Sequence, residues 1–129
     1  MDNEINIQDD FFTFREQVKE KLGDSFADQA DIFFERAVHE AQTNLEHSAI
    51  EDGEYALTLA HYAKDGFPIV YLIGFLCEVH IFTDKIKKAK FYYNLGLQLL
   101  DSNSPDYDRD KASFDRLQDL MNGEDWKDK

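Results

Sequence analysis

Residues 66–96 read GFPIVYLIGFLCEVHIFTDKIKKAKFYYNLG, and the reading of this stretch decides the fold. From Ile69 to Phe82 it is apolar on almost every side, interrupted only by Gly74, Glu78 and His80. A helix without a polar face has to be covered all round. It is shorter than the roughly 20 residues that cross a bilayer, so it reads as a buried core helix. From Asp84 onward, Ile86, Ala89, Tyr93, Gly96 and Leu100 recur at three- and four-residue steps. That spacing predicts an amphipathic helix returning antiparallel to the first. The organising unit is a helical hairpin.

The flanking sequence extends the same pattern. Residues 1–8 read as a loose tail. A first helix is expected from near Gln8–Asp9, where acids suit the positive end of a helix dipole, with Phe11, Phe14, Val18 and Leu22 as its stripe and Gly23 as its stop. Asp24 or Ser25 can cap a second helix, in which Phe26, Ala30, Phe33, Phe34, Ala37, Val38, Ala41 and Leu45 share one face. Asp28, Asp31, Glu35 and Glu46 fall outside that face. Ser48 to Gly53 reads as a connection, punctuated by Gly53. A third helix then runs from Gly53 to Lys64 and stops at Asp65–Gly66, and Pro68 suits the first turn of the fourth. Thr83 or Asp84 can cap the fifth. A loop at Ser102–Pro105 precedes a sixth, from about Asp106 to Gly123, with Phe114, Leu117, Leu120 and Met121 inward. Residues 123–129 read as a second loose tail, from which Trp126 can dock back. No stretch alternates with period two, so the expectation is an all-α fold of about six helices in antiparallel hairpins.

A chain of 129 residues, 43% hydrophobic and 14% aromatic, is long enough for one packed domain over 1–129. Twenty-seven acids against 14 bases give a net charge of −13, and the excess is concentrated in residues 1–54. Such a field repels nucleic acid and anionic membranes and attracts basic partners. The start of the chain lacks the features of a secretory signal, and Cys77 stands alone, which rules out an internal disulfide and suits a reducing cytoplasm.

Tyr71-Leu72-Ile73-Gly74-Phe75-Leu76, followed by Lys88-Ala89-Lys90-Phe91-Tyr92-Tyr93, resembles the Sel-one-like branch of the tetratricopeptide superfamily. Ala63-Lys64-Asp65-Gly66 is similar to the turn that closes a repeat in that branch. The third helix can be laid on the fifth at a separation of 33 residues, matching Ala56 to Ala89 and Ala60 to Tyr93. The branch's glycine-rich interhelical loop has no counterpart at Val79–Thr83. The resemblance implies a right-handed stack of hairpins with capping helices, used as a protein-binding scaffold and carrying no catalytic residues.

Chemistry has few footholds in this sequence. His39, His47, His61 and His80 include no HExxH and no pair four apart, so no metal site is expected. His39 and His47 share the expected second helix, and His80 reads as a hydrogen-bonded core residue. Glu78, an acid in an apolar run, calls for a cation, which Lys85, Lys87, Lys88 or Lys90 could supply. Cys77 and His80 are three apart, but no third group completes a nucleophilic site. The paired acids fall at caps, loops and tails rather than converging on a pocket. No enzyme, cofactor or nucleic-acid partner is expected.

Two binding modes fit. In the first, the chain resembles a small acidic bacterial immunity protein, covering the active surface of a basic toxin of nuclease type. Its contacts would be Asp9, Asp10, Glu16 and Glu20 on the first helix, then Asp28, Asp31 and Glu35 on the second. Glu51, Asp52 and Glu54 would extend the patch. In the alternative, a tetratricopeptide-like adaptor or secretion chaperone holds a peptide or helix in a groove lined by Tyr55, Tyr62, Tyr71, Tyr92 and Tyr93.

Overall fold

A computed structural model describes residues 9–63 and 68–123. It is all-α: α1 Phe11–Leu22, α2 Phe26–Gln42, α3 Glu46–Tyr62, α4 Ile69–Phe82, α5 Ile86–Leu99 and α6 Tyr107–Gly123. The chain divides into two compact units, Met1–Phe67 and Pro68–Lys129. Gly123, the first residue of the expected 123–129 tail, ends α6; the rest of that tail with Trp126, the expected tail at 1–8 and the Asp65–Gly66 stop lie outside the described residues.

In the first unit the Asp10 carboxylate accepts from the Thr13 amide at 2.9 Å and caps α1. At the other end Gly23 sits at φ 59°, where its amide reaches Lys19 O. Phe14 and Val18 of the expected stripe are buried, and Phe11 and Leu22 half-buried. Phe33 of α2 gathers the aromatic core: Phe14 stands edge-on to it at 4.9 Å, with Tyr55 at 4.7 Å and Phe11 at 5.8 Å.

The α2–α3 hairpin corrects the sequence reading. α2 ends at Gln42, and α3 starts at Glu46. Ser48–Gly53 is therefore helical rather than a connection, and Gly53 is buried inside α3. An interior glycine costs only about 1 kcal/mol against alanine, which burial of Ala49, Ile50 and Ala56 on the same helix outweighs. The turn is instead made at Asn44, with φ 65°, a conformation asparagine tolerates better than most residues. Leu45 consequently leaves the α2 face and is 53% exposed. His39 and His47 fall on different helices.

In the second unit α4 packs against α5 and α6. Leu72, Ile73, Leu76, Cys77, Val79 and Ile81 are buried, as the apolar run requires, while Tyr71 and Phe82 at its edges stay exposed. Phe114, Leu117 and Met121 of α6 are buried and Leu120 half-buried. Gly74 and Gly96 both lie against the Phe114 ring.

The two hairpins turn in the same way 40 residues apart. The Thr43 hydroxyl donates to His39 O at 3.0 Å, and the Thr83 hydroxyl to Val79 O at 3.0 Å. Asn44 and Asp84 take φ 65° and 60°. The amides of Leu45 and Lys85 reach Glu40 O and His80 O, each at 2.8 Å. Thr83 therefore closes α4, and neither it nor Asp84 caps α5 through its side chain. The register is 40, so Ala89 matches Ala49 and not Ala56. Placing the start of α3 two turns late in the sequence reading shifts the match by the same amount.

Candidate acidic face of the first unit

The outer stripe of α2 carries Asp28, Asp31 and Glu35, all exposed. They recur at three- and four-residue steps because Ala30, Phe33 and Phe34 between them, and Ala37 beyond, are buried on the opposite face. Asp28 accepts from the Ser25 hydroxyl at 2.7 Å at the start of the helix, where a carboxylate suits the dipole. None of the three has an ion-pair partner among the described residues. Burial, and then the Asp31 carboxylate one turn away, hold the Glu35 carboxyl above its ordinary value. Among the described residues this negative stripe is uncompensated. Glu51 on α3 is exposed and Glu54 half-buried.

The other expected contacts fare differently. Glu16 and Glu20 are exposed, but α1 also carries Arg15, Lys19 and Lys21, so that helix is not a negative face. Arg15 lies 3.5 Å from Glu16. A shallow open depression lined by Thr13, Glu16, Gln17, Lys19 and Glu20 likewise mixes both signs. Asp10 is exposed and committed to its cap, which lowers its pKa through the Thr13 amide. Asp9 is half-buried and accepts from Gln17.

Asp52 is a correction: it is 1% exposed and cannot meet a partner. Its Oδ2 lies 3.1 Å from Arg36 Nε, which is also 3.2 Å from Glu40 Oε2. Arg36 and Glu40 are buried on α2, and no part of this internal cluster was visible in the sequence reading. The one available signal was that Arg36 and Glu40, an i,i+4 pair, lie next to the apolar positions Ala37 and Ala41.

The tyrosines of the groove alternative are also largely engaged. Tyr92 is buried, with its ring 5.3 Å from that of His80, and so lines no groove. Tyr55 is half-buried against Phe11 and Phe33. Tyr93 packs on Phe114 at 5.8 Å, and the Arg109 guanidinium lies 5.0 Å from the Tyr71 ring. Tyr62 is the most open, 64% exposed and 6.3 Å from Phe26.

Glu78 finds its cation on α6 and not on α5: the Arg116 guanidinium donates to it at 2.7 Å. His80 is buried, with Nδ1 2.7 Å from Leu76 O. Burial, and then Glu78, push the Cys77 thiol up to about 12, so it stays protonated near neutrality. No three His, Cys, Asp or Glu side chains among the described residues are grouped to hold a metal ion. No described helix is long and apolar enough to cross a membrane.

No protein-family model, curated protein or solved structure matches this chain at a significant level.

Proposed function

We propose that this protein is a stoichiometric inhibitor that neutralises a basic protein by laying the acidic outer face of α2 over its cationic active surface. The carrying observation is the stripe Asp28–Asp31–Glu35, which has no ion-pair partner among the described residues and in which burial, and then Asp31, raise the Glu35 carboxyl. Like charges held one turn apart are a cost to the helix on its own. A basic partner converts that cost into binding energy and into a faster encounter.

The partner class that fits best is a nuclease-type toxin, with this chain as its immunity protein in the bacterial cytoplasm. A nuclease presents lysines and arginines to phosphate, and carboxylates at similar spacing can occupy the same ground. Glu51 and Glu54 of α3 extend the contact. Asp52 is withdrawn from it, because its carboxylate serves the interior.

The test is co-expression with the product of each reading frame that flanks the gene, scored for a basic toxin that the chain counteracts. The parent chain should protect the host, and D28K/D31K/E35K should lose protection while keeping its helical circular dichroism. Protection unchanged by the triple reversal would overturn the reading.

A further inference from the structure

The first unit encloses three charges where the second encloses none at the matching positions. Arg36, Glu40 and Asp52 are 7%, 5% and 1% exposed. Forty residues on stand Leu76, His80 and Tyr92, also buried, with the His80 and Tyr92 rings in contact. The second hairpin thus makes its interior without a fixed ion cluster, so packing alone does not call for one in the first. Buried ion clusters are costly to assemble and poor evidence of stability.

The geometry inside the cluster is unbalanced. One guanidinium nitrogen, Arg36 Nε, faces Glu40 Oε2 and Asp52 Oδ2 at 3.2 and 3.1 Å. Nη2 is used elsewhere, donating to the Asp9 carbonyl at 2.5 Å just ahead of α1. The guanidinium carbon lies 4.3 Å from the Phe14 ring centre, also on α1. Glu40 Oε1, Asp52 Oδ1 and Arg36 Nη1 are buried without a hydrogen-bond partner among the described residues. If both acids were ionised, one positive charge would face two negative ones in a site shielded from water. Neighbouring groups do not redress this. Glu51 on α3 adds negative charge, and the Asp10 carboxylate on α1 already draws on Arg36.

A single proton held between the two carboxyl groups gives their unpartnered oxygens a donor and brings the cluster to neutrality, while Arg36 Nη1 is left as it was. We propose that Glu40 and Asp52 share one proton, and that this proton is a latch whose loss in alkaline solution frees α1 from Arg36. Burial first, then Glu40, raise the Asp52 carboxyl to about 8; the titration belongs to the pair. When the proton passes to solvent, the cluster carries net negative charge. Both carboxylates then compete for Arg36, at the expense of its bonds to the Asp9 carbonyl and its seat on Phe14.

The experiment is carboxyl 13C NMR on the full chain from pH 3 to 9.5, with amide hydrogen exchange from pH 5 upward. The expected result is one step near pH 8 felt by the side-chain carboxyl carbons of both Glu40 and Asp52. Protection factors of α1 amides such as Phe14 should fall about tenfold or more across that step relative to those of α2. Asp52→Asn should remove the step and keep α1 protection flat, and Glu40→Gln serves as the second variant should the first fail to fold. Two ordinary carboxyl titrations below pH 6 would overturn the shared proton. A step without selective loss of α1 protection would overturn the latch.

Discussion

The ring of Phe114 on α6 occupies the space that a side chain at Gly96 on α5 would need. A β-carbon at Gly96 would overlap two ring atoms, whereas one at Gly74 would stand 3.3 Å from the nearest. Gly96→Ala should therefore destabilise the second unit by about 1–3 kcal/mol, the usual penalty of overfilling a packed core. Gly74→Ala should be close to neutral, because the helix-propensity gain of about 1 kcal/mol offsets a slight crowding. Urea denaturation of the two variants makes the comparison. A Gly74 variant weaker than the Gly96 variant would contradict this packing.

The Asp52 carboxyl has a definite sign in stability. Its value is raised from 3.8 to about 8, so its contribution is fully present below the unfolded value. It declines as pH rises toward the folded value. Melting temperature should fall from pH 5 to pH 8.5 in the parent. Asp52→Asn, which mimics the protonated acid, should flatten that decline and melt higher at pH 8.5.

Glu35 and Asp31 repel one another on the α2 surface. Glu35→Lys replaces that repulsion with an attractive i,i+4 pair and should stabilise the free protein by about 0.3–0.5 kcal/mol. The same change should slow association with a basic partner, most clearly at low salt. Thermal melts and stopped-flow binding measure the two effects separately. Stability gained without any loss of association rate would place the contact face elsewhere.

Asp84 turns the α4–α5 hairpin at φ 60°. Asp84→Gly should leave stability unchanged or raise it by up to about 1 kcal/mol, and Asp84→Val should lower it by about 1–2 kcal/mol. Asn44 should respond in the same order, since its turn is built alike. Chemical denaturation of the four variants tests whether both turns carry the same backbone strain.

The Arg116–Glu78 pair is 53% and 34% exposed at its side chains. Removing either member should cost no more than about 1 kcal/mol, with the loss shrinking as salt is added. A double-mutant cycle at two ionic strengths reads it out.

The all-α class, the six helices and most of the core were legible in the chain itself, because period and burial are local in origin. Phe14, Val18, Phe33, Leu72, Leu76, Ala89, Phe114 and Leu117 lie where their spacing places them. The α2–α3 turn was not legible: a buried Gly53 looks like a breaker until a neighbouring helix covers it, and Asn44 supplies the positive φ without glycine. The acids of the candidate face could be named from sequence but not sorted. Asp28, Asp31, Glu35 and Asp52 all stand on helices, and only packing turns the first three outward and Asp52 toward Arg36. Composition settles how much charge a chain carries. Which charges reach water depends on contacts between residues distant in sequence, and those exist only once the helices have met.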